Sequence, residues 1–298
     1  MSEIDWLSGP WAQIVGLTSD LRVQVVGLPF LLSWLSAGVL RLLLGPDRGG
    51  LVSGAAIGIG FLAAYVAMFD VPPWPPVSSV QKLFFIALAA VLLGTLADFM
   101  RIRGEALGAS ALALTLGAVI WLAWPLVRGF DPTGVGIALV VWAGAGVVQM
   151  QLERAPSLGV APVLMLATAA CGLALLVLHA SSTLMAQLAG AFAASSLGFA
   201  LWTWPESRFA FASSAVIGAA VPLAAIAAIL ALFGNIEPLA LIPLMGVFVA
   251  DRVGGALVPG RGLSVQFLRF LIAVLAAVVS VLAAVGLQSL LQDPLLWF

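Results

Sequence analysis

The sequence predicts an all-α fold: a polytopic helical membrane protein with about ten transmembrane helices. Of its 298 residues, 63% are hydrophobic and only 8% are charged, whereas soluble domains carry about 25% charged residues. The mean hydropathy is +1.18. Apolar runs of about 20 residues, the length that crosses a hydrocarbon core of about 30 Å, recur along the chain. The alternating segments of about ten residues that are typical of a transmembrane barrel are absent.

Residues 1–22 are predicted to form a short interfacial segment before the first span. Glu3 and Asp5 lie where a signal peptide would carry basic residues, and no uninterrupted apolar run follows them, so a signal peptide is not predicted. Trp6 and Trp11 fit one face of a short helix at the membrane surface. A frayed tail is the alternative interpretation of this segment.

Residues 23–298 are predicted to form a single transmembrane domain, because no connection between the apolar runs is long enough for a domain outside the membrane. The longest connection, residues 70–82, is Pro-rich and is predicted to be extended. It fits a stiff periplasmic connector, a docking site for a periplasmic partner or a lid over an outward cavity. The predicted spans are 25–44, 51–69, 83–100, 106–127, 134–150, 160–178, 184–204, 210–233, 239–258 and 265–290.

The distribution of Lys and Arg predicts that both termini are periplasmic, because cytoplasmic loops of membrane proteins collect basic residues. In that orientation three basic residues lie on the periplasmic side, and these are Arg22, Lys82 and Arg128. The remaining basic residues lie on the cytoplasmic side, and these are Arg41, Arg48, Arg101, Arg103, Arg154, Arg208, Arg252, Arg261 and Arg269.

The ninth predicted span contains the first candidate site, the adjacent pair Asp251 and Arg252. A charge at the centre of an inserted helix costs about 2.5–3.5 kcal/mol, so charged residues there tend to be paired or functional. Pro243, Gly254 and Gly255 predict a helix break, and broken helices form the binding sites of many transporters. Two interpretations stay open: a buried ion pair that takes part in transport, or an interfacial pair in which Arg252 reaches the headgroup layer.

Two further groups of residues are candidates for a site or for packing. Asp98 lies near the end of the third predicted span with Arg101 three residues later, a spacing that allows a contact on one helix. This pair is either a transport or ion-pair candidate or a solvated pair at the membrane boundary. Gly54 and Gly58 form a GxxxG motif, which predicts close helix packing within this chain or with a partner.

No catalytic constellation, metal site or cofactor site is predicted, so the chain is not expected to be an enzyme. Cys171 and His179 are the only residues of their types, and neither makes a metal site alone. With a net charge of −1 and no block of basic residues, nucleic acid is not an expected partner. Gln149, Gln151 and Glu153 fit either boundary positions or hydrogen bonds between helices.

The leading functional hypothesis is a solute permease or secondary carrier, or the membrane subunit of a transport system, in the bacterial inner membrane. Its small-molecule substrate is unknown. The alternative is a non-catalytic membrane scaffold or assembly subunit, and an enzyme that acts on lipid within the membrane is a third, weaker hypothesis. The expected partners are the lipid bilayer and either other membrane subunits or further copies of this chain.

Overall fold

A computed structural model describes residues 20–154, 160–179, 182–204, 209–234, 236–249 and 263–291. A π-helical turn, Val23–Gly27, leads into the first α-helix. The α-helices are α1 (Leu28–Val52), α2 (Ala55–Phe69), α3 (Ser79–Phe99), α4 (Glu105–Arg128), α5 (Pro132–Arg154), α6 (Ala161–His179), α7 (Thr183–Ala200), α8 (Ser213–Phe233) and α9 (Leu263–Leu291). Two 3₁₀-helices, Pro238–Leu241 and Pro243–Val249, lie between α8 and α9.

The predicted all-α polytopic fold is confirmed. Within the described residues there is no strand, and eight helices are long and apolar enough to cross a membrane. Each predicted span other than the ninth overlaps an α-helix. We call the two 3₁₀-helices together the 3₁₀ segment (Pro238–Val249). Helix α2 and the 3₁₀ segment are shorter than the eight long helices, and the sequence gives a local cause for each short element.

Helix α1 is interrupted at Gly45, where the chain reverses direction. Gly45 has φ 77° and ψ 174°, a conformation that is essentially restricted to glycine. Beyond it, Gly49 lies against the backbone of Arg41, and Gly60 of α2 lies against Pro29 and Ser33. The chain therefore folds back on itself as a tight antiparallel hairpin with Gly45 at the turn.

The second arm of this hairpin continues into α2. Ser53 and Gly54, which connect α1 to α2, both have right-handed helical backbone angles. The helical path from Pro46 to Phe69 is then about 36 Å long at 1.5 Å per residue, enough to cross a hydrocarbon core of about 30 Å. The break between the first two spans lies at Gly45, directly after the predicted end of the first span.

Helix α3 begins at Ser79, four residues before the predicted start of the third span. Ser78 and Gln81 form a capping box, in which each side chain accepts from the other residue's backbone N–H. Lys82, predicted to end the periplasmic loop, instead lies buried within α3. Its Nζ donates to the carbonyl of Trp121 at 2.9 Å. This carbonyl is free because Pro125, four residues later in α4, has no N–H to donate.

Helix α8 is the central element of the bundle. It carries no charged residue, and 83% of its most apolar window is buried inside the protein. Its most extensive packing is against α3, and it also contacts α2, α4 and α5. Gly94 of α3 lies against Ser214 and Ile217, whereas Val91 lies beside Gly218, so α3 runs antiparallel to α8.

The described part of the ninth predicted span forms 3₁₀-helices in place of an α-helix. Pro238 and Pro243 have no backbone N–H, so neither can donate to the carbonyl four residues earlier. The backbone instead forms shorter-range hydrogen bonds, such as that from Met245 N to the carbonyl of Ile242 at 3.0 Å. This segment packs against α9, α6 and α5.

We predict that Gly45→Ala lowers the free energy of unfolding by about 1–3 kcal/mol, the cost of a sparsely populated backbone conformation. A Cβ at Gly45 meets no atom within 4 Å, so the loss comes from the backbone alone. The matched control is Gly50→Ala, which also has open space at the Cβ position and no positive φ. Denaturant unfolding in detergent micelles measures both variants, and equal stability of the two would contradict the reversal at Gly45.

Candidate functional site

Asp98 lies in the last turn of α3, and its side chain is only 5% exposed. A buried carboxylate at this depth needs hydrogen-bond donors, because removing a charge from water without compensation is costly. The donors come from the start of α8. Asp98 Oδ1 accepts from the backbone N of Ser213 at 2.9 Å, and Oδ2 accepts from that of Ser214 at 2.8 Å.

The contact satisfies both the carboxylate and the helix start. The first N–H groups of an α-helix have no partner within the helix, and those of α8 are buried in the bundle, away from water. The helix dipole also places partial positive charge at this end, which favours a nearby carboxylate. We call the contact of Asp98 with the N–H groups of Ser213 and Ser214 the carboxylate cap of α8.

The hydroxyl groups of the same two serines join further chain segments to the cap. Ser213 Oγ donates to the carbonyl of Ile102 at 2.9 Å, and Ser214 Oγ donates to that of Leu51 at 3.0 Å. The backbone of residue 210 also donates to the carbonyl of Gly50 at 3.2 Å. The end of α1, the end of α3 and the start of α8 are therefore held together by hydrogen bonds.

Arg101 lies beyond the end of α3, and the expected contact with Asp98 on one helix does not form. The N–H of Arg101 donates to the carbonyl of Asp98, and that of Ile102 donates to the carbonyl of Ala97. This is the Schellman pattern of helix termination, in which the residue after the cap takes a left-handed conformation. Arg101 has φ 56°, so its side chain leaves the helix face that carries Asp98.

A polar cavity of about 420 Å³ lies beside the carboxylate cap. It opens at the end of the bundle where α1 and α3 end, and its walls combine charged and apolar side chains. The lining residues are Asp47, Arg48, Leu51, Val52, Asp98, Phe99, Arg101 and Arg103. We call it the arginine cavity, because three of its lining residues are arginines. The lining residues come from two parts of the sequence, 47–52 and 98–103.

Most residues of the first candidate site lie outside the described residues: Asp251, Arg252, Gly254 and Gly255. Their roles stay predictions. Pro243 is described, and it begins the second 3₁₀-helix. The predicted interfacial segment also lies outside the described residues, apart from its last three positions.

Gly54 and Gly58 lie at the interface of α2 with the central helix and α3. A Cβ at Gly54 would meet Ala215 of α8, and a Cβ at Gly58 would meet Val91 of α3. Both glycines therefore face neighbouring helices of the same chain, where their lack of a side chain allows the backbones to approach closely.

The polar residues at the end of α5 form one hydrogen-bonded contact between helices. Gln149 is 1% exposed, and its Nε2 donates to Thr115 Oγ1 of α4. Thr115 Oγ1 in turn donates to the carbonyl of Ala111 at 2.8 Å. Glu153 lies one turn further on, against Gly108. These contacts join α4 to α5 and lie apart from the residues that line the arginine cavity.

Sequence reasoning identified Asp98 and Arg101 but missed their surroundings. Ser213 and Ser214 are the first two residues of α8, the most apolar of the long helices described, and serine near a helix start is a recognised signal for that start. That signal identifies a helix start but does not indicate that a carboxylate from α3 occupies it. Arg48 and Arg103 are not among the predicted site residues, because nothing in their spacing places them beside one cavity.

Comparison with known proteins assigns this chain to no family. A scan against protein-family models finds no matching family, and a search of curated proteins finds no significant match. Within the described ranges, no group of three or more His, Cys, Asp or Glu side chains is placed to hold a metal ion. Function is therefore argued from the geometry of the carboxylate cap and the arginine cavity.

We predict that Asp98→Ala lowers the free energy of unfolding by about 3–6 kcal/mol. Two hydrogen bonds to a charged group are lost, each worth about 1.5–3 kcal/mol, and two buried N–H groups lose their acceptor. Asp98→Asn should lose less, since its amide oxygen still accepts from one N–H. The control is Asp47→Asn, which removes an exposed carboxylate at the same cavity. Unfolding in detergent measures all three, and an Asp98→Ala protein as stable as the control would exclude the cap.

Proposed function

We propose that the chain is a solute carrier, or the membrane subunit of a transport system, in the bacterial inner membrane. The arginine cavity is the observation that carries this proposal. Its volume of about 420 Å³ falls in the range of about 300–1,000 Å³ that is typical of small-molecule sites. It combines charged side chains with the apolar Leu51, Val52 and Phe99, a composition suited to orienting a small polar solute.

The position of the cavity also supports this proposal. Its wall includes Asp98, so a solute in the cavity would lie next to the start of the central helix. A small displacement of α8 would be transmitted to α2, α3, α4 and α5, which all pack on it. Carriers work by moving one group of helices relative to another around a binding site.

The 3₁₀ segment offers a second region suited to movement. An apolar cavity of about 110 Å³ lies between this segment, α5, α6 and α8. Met245 and Phe248 of the segment line it, together with Leu223 of α8. Because 3₁₀ geometry is weaker than α-helical geometry and often marks a hinge, this segment can rearrange at low cost. In the sequence, the segment ends two residues before Asp251, the first residue of the predicted ion pair.

The test of the carrier proposal is the access of water-soluble reagents to the arginine cavity from each side of the membrane. Leu51→Cys is introduced into a Cys171→Ser background, which removes the chain's only other cysteine. We expect a membrane-impermeant maleimide to label it from both sides in vesicles, because a carrier exposes its site alternately. Asp47→Cys, at the exposed rim, should be labelled from one side only. Labelling of Leu51→Cys from one side only would contradict a carrier.

A scaffold function is the second candidate, and the Pro-rich connection supports it. Between α2 and α3 the side chains of Val71, Trp74 and Val77 are 65%, 73% and 88% exposed. Exposed apolar side chains on a proline-rich connection can dock a partner protein. For this function we expect Trp74→Ala to reduce co-purification of a stoichiometric partner. Phe130→Ala, which removes an exposed apolar side chain from a different connection, and wild-type protein should retain it. Purification without any stoichiometric partner would exclude the scaffold.

A further inference from the structure

The arginine cavity holds more positive than free negative charge. Three of the eight lining residues are arginines, Arg48, Arg101 and Arg103, whereas two are aspartates, Asp47 and Asp98. Both oxygens of Asp98 already accept hydrogen bonds from the start of α8. The carboxylate of Asp98 is therefore neutralised largely by the start of α8. Among the lining residues, this leaves only Asp47 to offset the positive charge of the three arginines.

Among the described residues, these three arginines have no carboxylate partner. In the part of the chain that the structure describes, no ion pair within 4.0 Å involves Arg48, Arg101 or Arg103. Arg48 lies in α1 after the reversal at Gly45, and Arg101 and Arg103 lie in the connection between α3 and α4. The fold thus brings three arginines, unpaired among the described residues, to one cavity from segments that are distant in sequence.

The backbone of Arg101 makes this residue suitable for a test of the site. Arg101 occupies the left-handed position of the Schellman pattern, where glycine is strongly preferred because it has no Cβ. Three residues later in the same connection, the chain does use glycine at a positive φ, at Gly104. Asp70 and Phe130 also have a positive φ, so the conformation alone assigns no role to the Arg101 side chain. It does mean that Arg101 can be replaced by glycine without strain in the backbone.

We propose that the arginine cavity binds a phosphate group, carried either by a small solute or by the headgroup of an anionic lipid. A guanidinium offers two parallel N–H donors to phosphate oxygens, and several guanidinium groups can share one phosphate. The solute version rests on the carrier function proposed above, whereas the lipid version does not. Both versions use Arg48, Arg101 and Arg103 as the donors.

The central variant is Arg101→Gly, because it separates binding from folding. Glycine suits the left-handed position better than arginine, so this protein should be at least as stable as the wild type. Arg103→Gln is the second variant, and it keeps the backbone of the helix end unchanged. The matched control is Arg128→Gln, which removes an exposed arginine at the far end of α4.

The first arm measures binding of inorganic phosphate by calorimetry to protein that is purified in a sugar detergent and freed of phospholipid. The second arm measures the gain in thermal unfolding temperature on adding phosphatidylglycerol, with phosphatidylcholine as the zwitterionic comparison. For whichever of the two ligands binds the wild type, phosphate or phosphatidylglycerol, we expect Arg101→Gly and Arg103→Gln each to weaken its affinity about tenfold or more. This is the effect of losing one charge-assisted hydrogen bond. Arg128→Gln should bind as the wild type does.

The outcomes distinguish a soluble phosphate ligand from a lipid headgroup, and they test the phosphate site separately from the carrier function. Arginine-dependent binding of inorganic phosphate supports the site with a soluble ligand. Arginine-dependent stabilisation by phosphatidylglycerol without phosphate binding supports the site with a lipid ligand, and the carrier proposal then rests on the labelling experiment alone. The proposed site is overturned if neither ligand binds, or if Arg101→Gly and Arg103→Gln bind as Arg128→Gln does.

Discussion

The carboxylate cap is the contact on which the rest of the structure depends. Helix α8 is the most buried long helix described, so the first N–H groups at its start cannot all be left to water. Asp98 is likewise too buried to remain charged without donors. Each group therefore needs the other, and the cost of separating them fixes the depth of α8 and its register against α3. Asp98 also lines the arginine cavity, so the cavity adjoins this junction.

The junction also divides the described bundle into a firmly held end and a less regular one. At the start of α8, hydrogen bonds from Ser213 and Ser214 connect three helix ends. Beyond the end of α8, the chain continues as 3₁₀-helices beside an apolar cavity. This division suits a carrier, in which a fixed site and a moving segment are both required.

Composition and hydropathy were sufficient to predict the fold class, because a membrane requires long apolar helices whatever the function. The apolar pattern was less informative about turns and helix type, which depend on the backbone conformation of single residues. The reversal at Gly45 depends on one glycine conformation. Pro243 indicates an irregular helix in the ninth span, but the sequence does not indicate that the backbone there forms 3₁₀-helices. The carboxylate cap was not predictable from spacing, because Asp98 and Ser213 lie more than 100 residues apart.

The most direct measurement of the central claim is amide hydrogen exchange at Ser213 and Ser214 in a lipid nanodisc. Hydrogen-bonded amides in stable structure exchange slowly, whereas amides of exposed connections exchange fast. If Asp98 caps α8, both amides should be protected to the same degree as those in the middle of α8, such as Ile226. Exchange as fast as that of the exposed connection 71–77 would contradict the cap, and with it the junction that adjoins the arginine cavity.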